Sequence, residues 1–141
     1  MIYAPLIALA VLGLIAVALR LQRTSQQRLV GSTVPGSTAA ALVLPPDRPA
    51  LLYFTGASCS ICHTAQRPAV NVVAAELGEQ AVVHELDVAD HPALARTYRV
   101  MTLPTTVVLN PAGVVSAVNP GFAPAARLKD QLLAAAASQA A

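Results

Sequence analysis

Residues 51–62 read Leu51-Leu52-Tyr53-Phe54-Thr55-Gly56-Ala57-Ser58-Cys59-Ser60-Ile61-Cys62, which puts the only two cysteines of the chain in a C-x-x-C pair after an apolar run. This order predicts a short buried strand, a loop of small residues and a helix that begins at or near Cys59. Unpaired N–H groups and the dipole at a helix N-terminus favour thiolate over thiol. Cys62 follows one helical turn later, close enough to form a disulfide with Cys59. The stretch therefore predicts a dithiol/disulfide redox centre.

The N-terminal segment is apolar and uncharged from residue 1 to residue 19. That is about the length of a helix that crosses the hydrocarbon core of a bilayer. A cleaved signal peptide would begin with positive charge and end in small residues, whereas Arg20 and Arg23 stand where that exit should be. A buried core helix would be shorter and would show a polar face. We therefore expect a transmembrane anchor over residues 1–20.

The charges around this segment predict its orientation. No Lys or Arg precedes it, and Arg20, Arg23 and Arg28 follow it closely. Positive residues stay on the cytoplasmic side, so we expect a single-pass protein of the cell membrane with its domain in the cytoplasm. An extracytoplasmic domain is the alternative, because three arginines are a modest bias and the N-terminal amine opposes it.

Length and charge limit the remaining possibilities. A chain of 141 residues holds one ordinary domain and an appendage. The net charge is +2, and without the three arginines six basic residues face seven acidic ones. The soluble part is close to neutral and has no basic face, which argues against a nucleic-acid partner. We expect a polar linker over residues 21–39 and one folded domain over residues 40–141.

The predicted elements of that domain alternate between strands and helices. In order, they are a strand at 50–54, a helix at 60–77 kinked by Pro68, a strand at 81–88, a helix to Tyr98 capped by Asp90, a hairpin of strands 105–109 and 114–118, and a helix at 124–137. The order predicts an α/β fold with a mixed central sheet between two layers of helices. The C-x-x-C pair lies at the carboxyl end of the first strand, where active sites of open α/β sheets collect.

Three features of residues 50–137 resemble the thioredoxin family and its membrane-anchored bacterial members. They are the strand followed by Cys59-Ser60-Ile61-Cys62, the Asp87/Asp90 region after the second strand, and Thr102-Leu103-Pro104-Thr105 before the hairpin. The resemblance implies a thioredoxin-like three-layer α/β/α fold and a cis peptide bond between Leu103 and Pro104 that lies against the disulfide. It also implies that Leu103 and Pro104 bind an extended substrate segment.

Other positions depart from the family pattern. Thioredoxins usually have Trp before the first cysteine and Gly-Pro between the pair, where this chain has Ser58 and Ser60-Ile61. Their buried Asp on the first strand is replaced by Tyr53, and the lysine partner of that Asp corresponds to about Glu85. We hypothesise that Glu85 supplies the missing carboxylate from the neighbouring strand.

The predicted function is that of a membrane-tethered thiol–disulfide oxidoreductase that needs no cofactor and no metal. Cys59 would form a mixed disulfide with a protein substrate, and the more buried Cys62 would resolve it. The expected partners are protein thiols or disulfides and a redox partner that the sequence does not identify. The sequence also leaves open whether the protein acts as reductant or oxidant.

Other functions are also compatible with the pair of cysteines. They could be buried packing residues, or part of the haem-attachment motif C-x-x-C-H with His63 and Met101 as axial ligands. Cys59, Cys62 and His63 could handle copper, although a fourth ligand is missing. The domain could also bind peptides around Pro104 without redox turnover.

Overall fold

The computed structural model describes residues 3–33 and 42–138. A long N-terminal helix precedes a domain in which strands and helices alternate. In chain order the elements are α1 (Tyr3–Gln27), β1 (Ala50–Thr55), a π-helical turn (Cys62–Gln66) that continues into α2 (Arg67–Leu77), β2 (Val82–Asp87), α3 (Pro92–Thr97), β3 (Thr105–Leu109), β4 (Val115–Pro120) and α4 (Ala125–Ala137). We call the segment Cys62–Gln66 the π-turn.

The four described strands form one mixed sheet in the order β2-β1-β3-β4. β1 is parallel to β2 and antiparallel to β3, which in turn is antiparallel to β4. All six residues of β1 are buried, as expected for a central strand covered on both faces. The mixed sheet and the α/β fold class predicted from the sequence are confirmed.

Alternate side chains of β1 point into two separate cores. Leu52 and Phe54 lie in one core with Leu94 of α3. Leu51 and Tyr53 lie in the other core, which α2 and α4 cover with the side chains of Val70, Val73, Leu128 and Leu132. The period of two residues along a strand therefore places Tyr53 on the same face of the sheet as Cys62.

Two local predictions have different outcomes. In the predicted hairpin, the Asn110 side-chain oxygen accepts the Val114 N–H at 2.9 Å, and Gly113 adopts φ +77°. The predicted N-cap role of Asp90 is wrong, because His91 occupies the N-cap position of α3 and no side chain caps that helix. The carboxylate that binds backbone here is Asp87, which accepts the Ala89 N–H at 2.9 Å.

The N-terminal helix α1 continues to Gln27, beyond the anchor predicted over residues 1–20. Its side chains from residue 7 to residue 21 are all exposed, and most of them are apolar. Over residues 3–33 and 42–138, no helix combines the length and the hydropathy needed to span a bilayer. This finding does not support the predicted transmembrane anchor.

Part of the predicted linker contacts the domain. Leu29 is buried in the core that contains Leu52. The Gly31 N–H donates to the Val115 carbonyl at 2.8 Å, and the Val115 N–H donates to the Ser32 carbonyl at 3.1 Å. These contacts hold residues 29–32 against the edge strand β4. The part of the predicted linker at 34–39 lies outside the described residues, and the domain boundaries stay a prediction.

Tyr98 makes the free energy of unfolding of the domain depend on pH in the alkaline range. It packs on Phe54 with ring centroids 5.9 Å apart, and its hydroxyl has no hydrogen-bond partner among the described residues. Burial raises the pKa of Tyr98 from 10.0 to about 12. Because the unfolded chain ionises first, this contribution to stability is complete below pH 10 and is lost as the pH rises through 12.

We therefore expect the free energy of unfolding to fall between about pH 10 and about pH 12 in urea titrations. Tyr98→Phe should make this fall shallower. Some slope should remain, because burial also raises the pKa of Tyr53. If the free energy of unfolding falls equally steeply with pH in the wild type and in Tyr98→Phe, Tyr98 does not contribute to the loss of stability at alkaline pH.

Candidate active site

Cys59 and Cys62 form a disulfide at the carboxyl end of β1, with Cα atoms 5.3 Å apart. After Thr55 the chain turns over the edge of the sheet, and the Cys59 N–H donates to the Gly56 carbonyl at 3.0 Å. The helix then begins at Ser60, directly after Cys59. The predicted dithiol pair at a helix N-terminus is thus present in the structure.

The two sulfur-bearing residues differ in access to solvent. Cys62 is fully buried, whereas Cys59 is only partly buried. The Cys62 N–H also lies 3.3 Å from the Cys59 Sγ and donates to it. A donor in this position favours a negative charge on Cys59 once the disulfide is reduced. The geometry therefore makes Cys59 the more accessible residue of the pair and Cys62 the buried one.

The π-turn follows from the proline two residues after it. Pro68 has no N–H and its ring crowds the preceding turn, so a regular α-helix cannot continue through this position. The Arg67 N–H instead bonds to the Cys62 carbonyl, five residues back. The irregularity predicted at Pro68 therefore lies just before the proline and involves the second cysteine directly.

Gln66 at the end of the π-turn is a fully buried polar residue that the sequence analysis missed. Its Nε2 donates to the Ala123 carbonyl at 3.0 Å, and its Oε1 accepts the Ala123 N–H at 2.8 Å. The loop before α4 is therefore held to the helix that carries Cys62. One signal was available, since Gln66 stands four residues from both Cys62 and Val70 on the apolar face of the helix.

Tyr53 approaches Cys62 from the sheet below it. The Tyr53 side chain is fully buried, and its hydroxyl donates to the Cys62 carbonyl at 2.7 Å. The same hydroxyl lies 3.4 Å from the Thr55 Oγ1. Burial raises the pKa of Tyr53, so its hydroxyl stays neutral at physiological pH. Where the family has a buried carboxylate, this chain places a neutral donor.

Glu85 lies on β2 directly beside Tyr53 but binds a different group. Its carboxylate forms an ion pair with the Arg67 guanidinium, and both side chains are about two-fifths exposed. The group that contacts Cys62 is the Tyr53 hydroxyl and not the Glu85 carboxylate. The structure therefore favours Tyr53 over Glu85 as the residue next to the second cysteine.

We expect Glu85→Gln to have little effect. The pH profile of thiol alkylation should stay unchanged, and the free energy of unfolding should fall by no more than about 1 kcal/mol, since exposed ion pairs stabilise weakly. Alkylation rates across a pH series and urea unfolding test both expectations. A shifted alkylation profile would restore the hypothesis that Glu85 serves as the missing carboxylate.

The loop before β3 completes this end of the sheet. The Leu103–Pro104 peptide bond is cis, as the resemblance implies. The Pro104 carbonyl accepts the Gly121 N–H at 2.8 Å, so this loop and the one containing Ala123 are tied together. A Cβ atom on Gly56 would lie only 3.0 Å from the Leu103 Cδ1, which shows how closely Leu103 packs on the chain leading to Cys59.

The residues considered as metal or haem ligands lie in different surroundings. The His63 Nε2 is 3.3 Å from the Ala57 carbonyl, the His91 Nδ1 is 3.3 Å from the Asp87 carbonyl, and Met101 is exposed. Within residues 3–33 and 42–138, no group of three or more His, Cys, Asp or Glu side chains could hold a metal ion.

A mixed α/β sheet with a C-x-x-C disulfide at the end of its central strand, beside a cis-proline loop, defines a thioredoxin-like protein. The sequence model of the thioredoxin family matches residues 35–134, and the chain therefore belongs to that family.

Solved structures share the fold. Chloroplastic thioredoxin z is 24% identical with a TM-score of 0.61, and the match covers 77% of this chain and 96% of that one. A malarial protein is 23% identical with a TM-score of 0.57, over 62% and 96% of the two chains. Thioredoxin-2, a component of the malaria parasite protein secretion machinery, is 23% identical with a TM-score of 0.58, over 62% and 82%.

Proposed function

We propose that this protein is a thiol–disulfide oxidoreductase that acts on protein substrates through Cys59 and Cys62. The observation that carries the proposal is the asymmetry of the pair. The sulfur of the partly buried Cys59 accepts a hydrogen bond at the start of a helix, and Cys62 is fully buried. Thiol–disulfide exchange needs one accessible sulfur to form the mixed disulfide and a second one close enough to break it.

In the reducing direction, the Cys59 thiolate attacks one sulfur of a substrate disulfide and the other substrate sulfur leaves as a thiolate. The Cys62 thiolate then attacks Cys59 Sγ, and the bond between Cys59 and the substrate breaks. Two electrons pass to the substrate, which leaves as a dithiol after taking up two protons, and the Cys59–Cys62 disulfide remains. The same steps in reverse oxidise a substrate dithiol.

We further propose that Leu103 and Pro104 bind the substrate chain. Leu103 packs against Gly56 at the end of β1, and Pro104 is tied to Gly121. Ile61 beside the disulfide, Met101 before the cis-proline and Phe122 after Gly121 are large apolar side chains that stay exposed. Such side chains suit an extended peptide with apolar residues next to its cysteine.

The test combines an exchange assay with a reduction potential. The reduced protein should reduce the disulfides of insulin catalytically, and its potential should be measured against glutathione and against dithiothreitol. A potential near −270 mV, as in thioredoxin, supports a reductase, and one near −120 mV supports an oxidant of exported thiols. A pair that does not exchange with any of these reagents would overturn the proposed function.

A peptide-binding role without redox turnover is the competing proposal, favoured only by the exposed apolar side chains Ile61, Met101 and Phe122. The double variant Cys59→Ala, Cys62→Ala separates the two roles. A pure binding module keeps its association with an apolar peptide and shows no catalytic exchange in either form. An oxidoreductase exchanges as the wild type and loses that activity in the double variant.

We also propose that α1 attaches the domain to the cell membrane, with the domain on the cytoplasmic side. The large apolar side chains of α1 are about half to two-thirds exposed, and they include Leu9, Leu14 and Leu21. Burial of such side chains in lipid would remove them from water. Fractionation at alkaline pH tests attachment, and protease accessibility of the domain in sealed vesicles tests the side. Release of the protein in carbonate would count against a stable anchor.

A further inference from the structure

The peptide backbone of Cys62 makes three polar contacts. Its carbonyl oxygen accepts the Tyr53 hydroxyl at 2.7 Å and the N–H of Arg67, the first residue of α2. A carbonyl oxygen has two lone pairs, and both are used here. Its N–H donates to the Cys59 Sγ at 3.3 Å. The backbone of Cys62 is thus bonded to Tyr53 of the sheet, to Arg67 of the helix and to the sulfur of Cys59.

The hydrogen bond from Tyr53 links the π-turn to the central strand. Among the described residues, Cys62 is the only residue of the π-turn whose carbonyl accepts a hydrogen bond from a side chain of β1. Tyr53 itself cannot shift easily, because it is fully buried in the core with Val73 and Leu128. The hydroxyl therefore fixes the start of the π-turn relative to the central strand.

We propose that Tyr53 is a positioning residue for the redox pair, an inference that rests on the proposed function. Its hydroxyl holds the Cys62 carbonyl, and this fixes the Cys62 N–H that stabilises the Cys59 sulfur as a thiolate. In this proposal, Tyr53 contacts neither the substrate nor the sulfur atoms of the two cysteines. It acts through the backbone of Cys62.

The charged groups around Tyr53 do not provide an alternative explanation. Glu85 of β2 lies opposite Tyr53 and is paired with Arg67, the first residue of α2. On β3 the residue opposite is Thr106, which is uncharged. His63 is the nearest titratable neighbour of Cys62 along the chain, and its ring binds the Ala57 carbonyl. A phenylalanine at position 53 leaves all of these groups in place.

The test compares Tyr53→Phe with Tyr98→Phe in the full chain. Both variants remove one hydroxyl from a fully buried tyrosine, but Tyr98 lies on the opposite face of the sheet. Ultraviolet thiolate absorbance of the reduced proteins gives the pKa values, and mass spectrometry of alkylated peptides assigns the more reactive thiol to Cys59. The reduction potential is measured on the same samples.

We expect Tyr53→Phe to raise the pKa of the Cys59 thiol by about 0.5 to 1 unit, so that the thiolate fraction below that pKa falls about three- to tenfold. Tyr98→Phe should titrate like the wild type. A wild-type profile for Tyr53→Phe, or an equal shift in both variants, would overturn the inference. Exchange of the wild-type disulfide with glutathione is measured as a separate result. If the wild type does not exchange, the proposed function itself is overturned.

A measurement on the wild type keeps the inference testable if Tyr53→Phe does not fold. In the reduced protein, the Tyr53 hydroxyl proton should exchange slowly with water and be visible by nuclear magnetic resonance, because it is buried and bonded to a carbonyl. A rapidly exchanging Tyr53 hydroxyl in the reduced state would overturn the proposed positioning role.

Discussion

Cys59→Ser is expected to abolish disulfide exchange completely, whereas Cys62→Ser should retain the first half of the reaction. Without the Cys59 sulfur, no accessible nucleophile remains, since Cys62 is fully buried and the chain has no other cysteine. Without the Cys62 sulfur, the mixed disulfide between Cys59 and a substrate has no internal thiol to break it. Turnover of insulin measures the first expectation. A mixed disulfide on a non-reducing gel measures the second.

Ser60→Ala provides the matched control for both variants. Residue 60 lies between the cysteines and is exposed, and its replacement leaves both sulfur atoms in place. We expect this variant to turn over insulin within about threefold of the wild type, because removal of an exposed hydroxyl changes stability little. A mixed disulfide that accumulates on Cys59→Ser instead of Cys62→Ser would reverse the assignment of the two roles.

The elements that the sequence predicted well are those encoded in local patterns. β1 is an apolar run over residues 50–54, bounded by Pro49 before it and by Thr55 and Gly56 after it. In the hairpin turn, the Asn110 side chain accepts a backbone N–H and Gly113 adopts a positive φ. These signals depend on neighbouring residues alone, so they can be recognised without knowledge of the fold. The cis bond at Pro104 came from the resemblance to a family and not from a local pattern.

The parts of the site that were missed depend on contacts between distant residues. Gln66 meets Ala123 across 57 positions of sequence, and Arg67 meets Glu85 across 18. Pro68 predicts that the helix is disturbed, but not that the disturbance places Cys62 over Tyr53. Asp90 satisfied the pattern of an N-cap, yet α3 begins one residue later and Asp87 supplies the bonded carboxylate.

The two buried links to the active-site helix have different functions. Tyr53 joins the helix to the central strand, whereas Gln66 joins it to Ala123, two residues from the Gly121 that binds Pro104. The redox pair and the cis-proline loop are therefore connected through Gln66. A change at this residue should affect the stability of the domain as well as the surface offered to a substrate.

Gln66→Leu is expected to destabilise the domain more than any other single hydrogen-bonding change considered above. The variant keeps the side-chain size but leaves the N–H and the carbonyl of Ala123 buried without partners. Each unsatisfied group costs about 1–3 kcal/mol, so the loss of both should lower the free energy of unfolding by roughly 2–6 kcal/mol. Urea unfolding of the oxidised protein measures the loss.

Gln131→Leu is the matched control, because Gln131 also makes two side-chain hydrogen bonds, to the amide of Asn119. Gln131 is only partly buried, so water can replace the bonds that are lost, and we expect a cost of no more than about 1.5 kcal/mol. Equal losses in the two variants would show that the burial of Ala123 does not determine the cost. If Gln66→Leu also raises the KM for insulin while Gln131→Leu does not, the link from the π-turn to the cis-proline loop shapes substrate binding as well as stability.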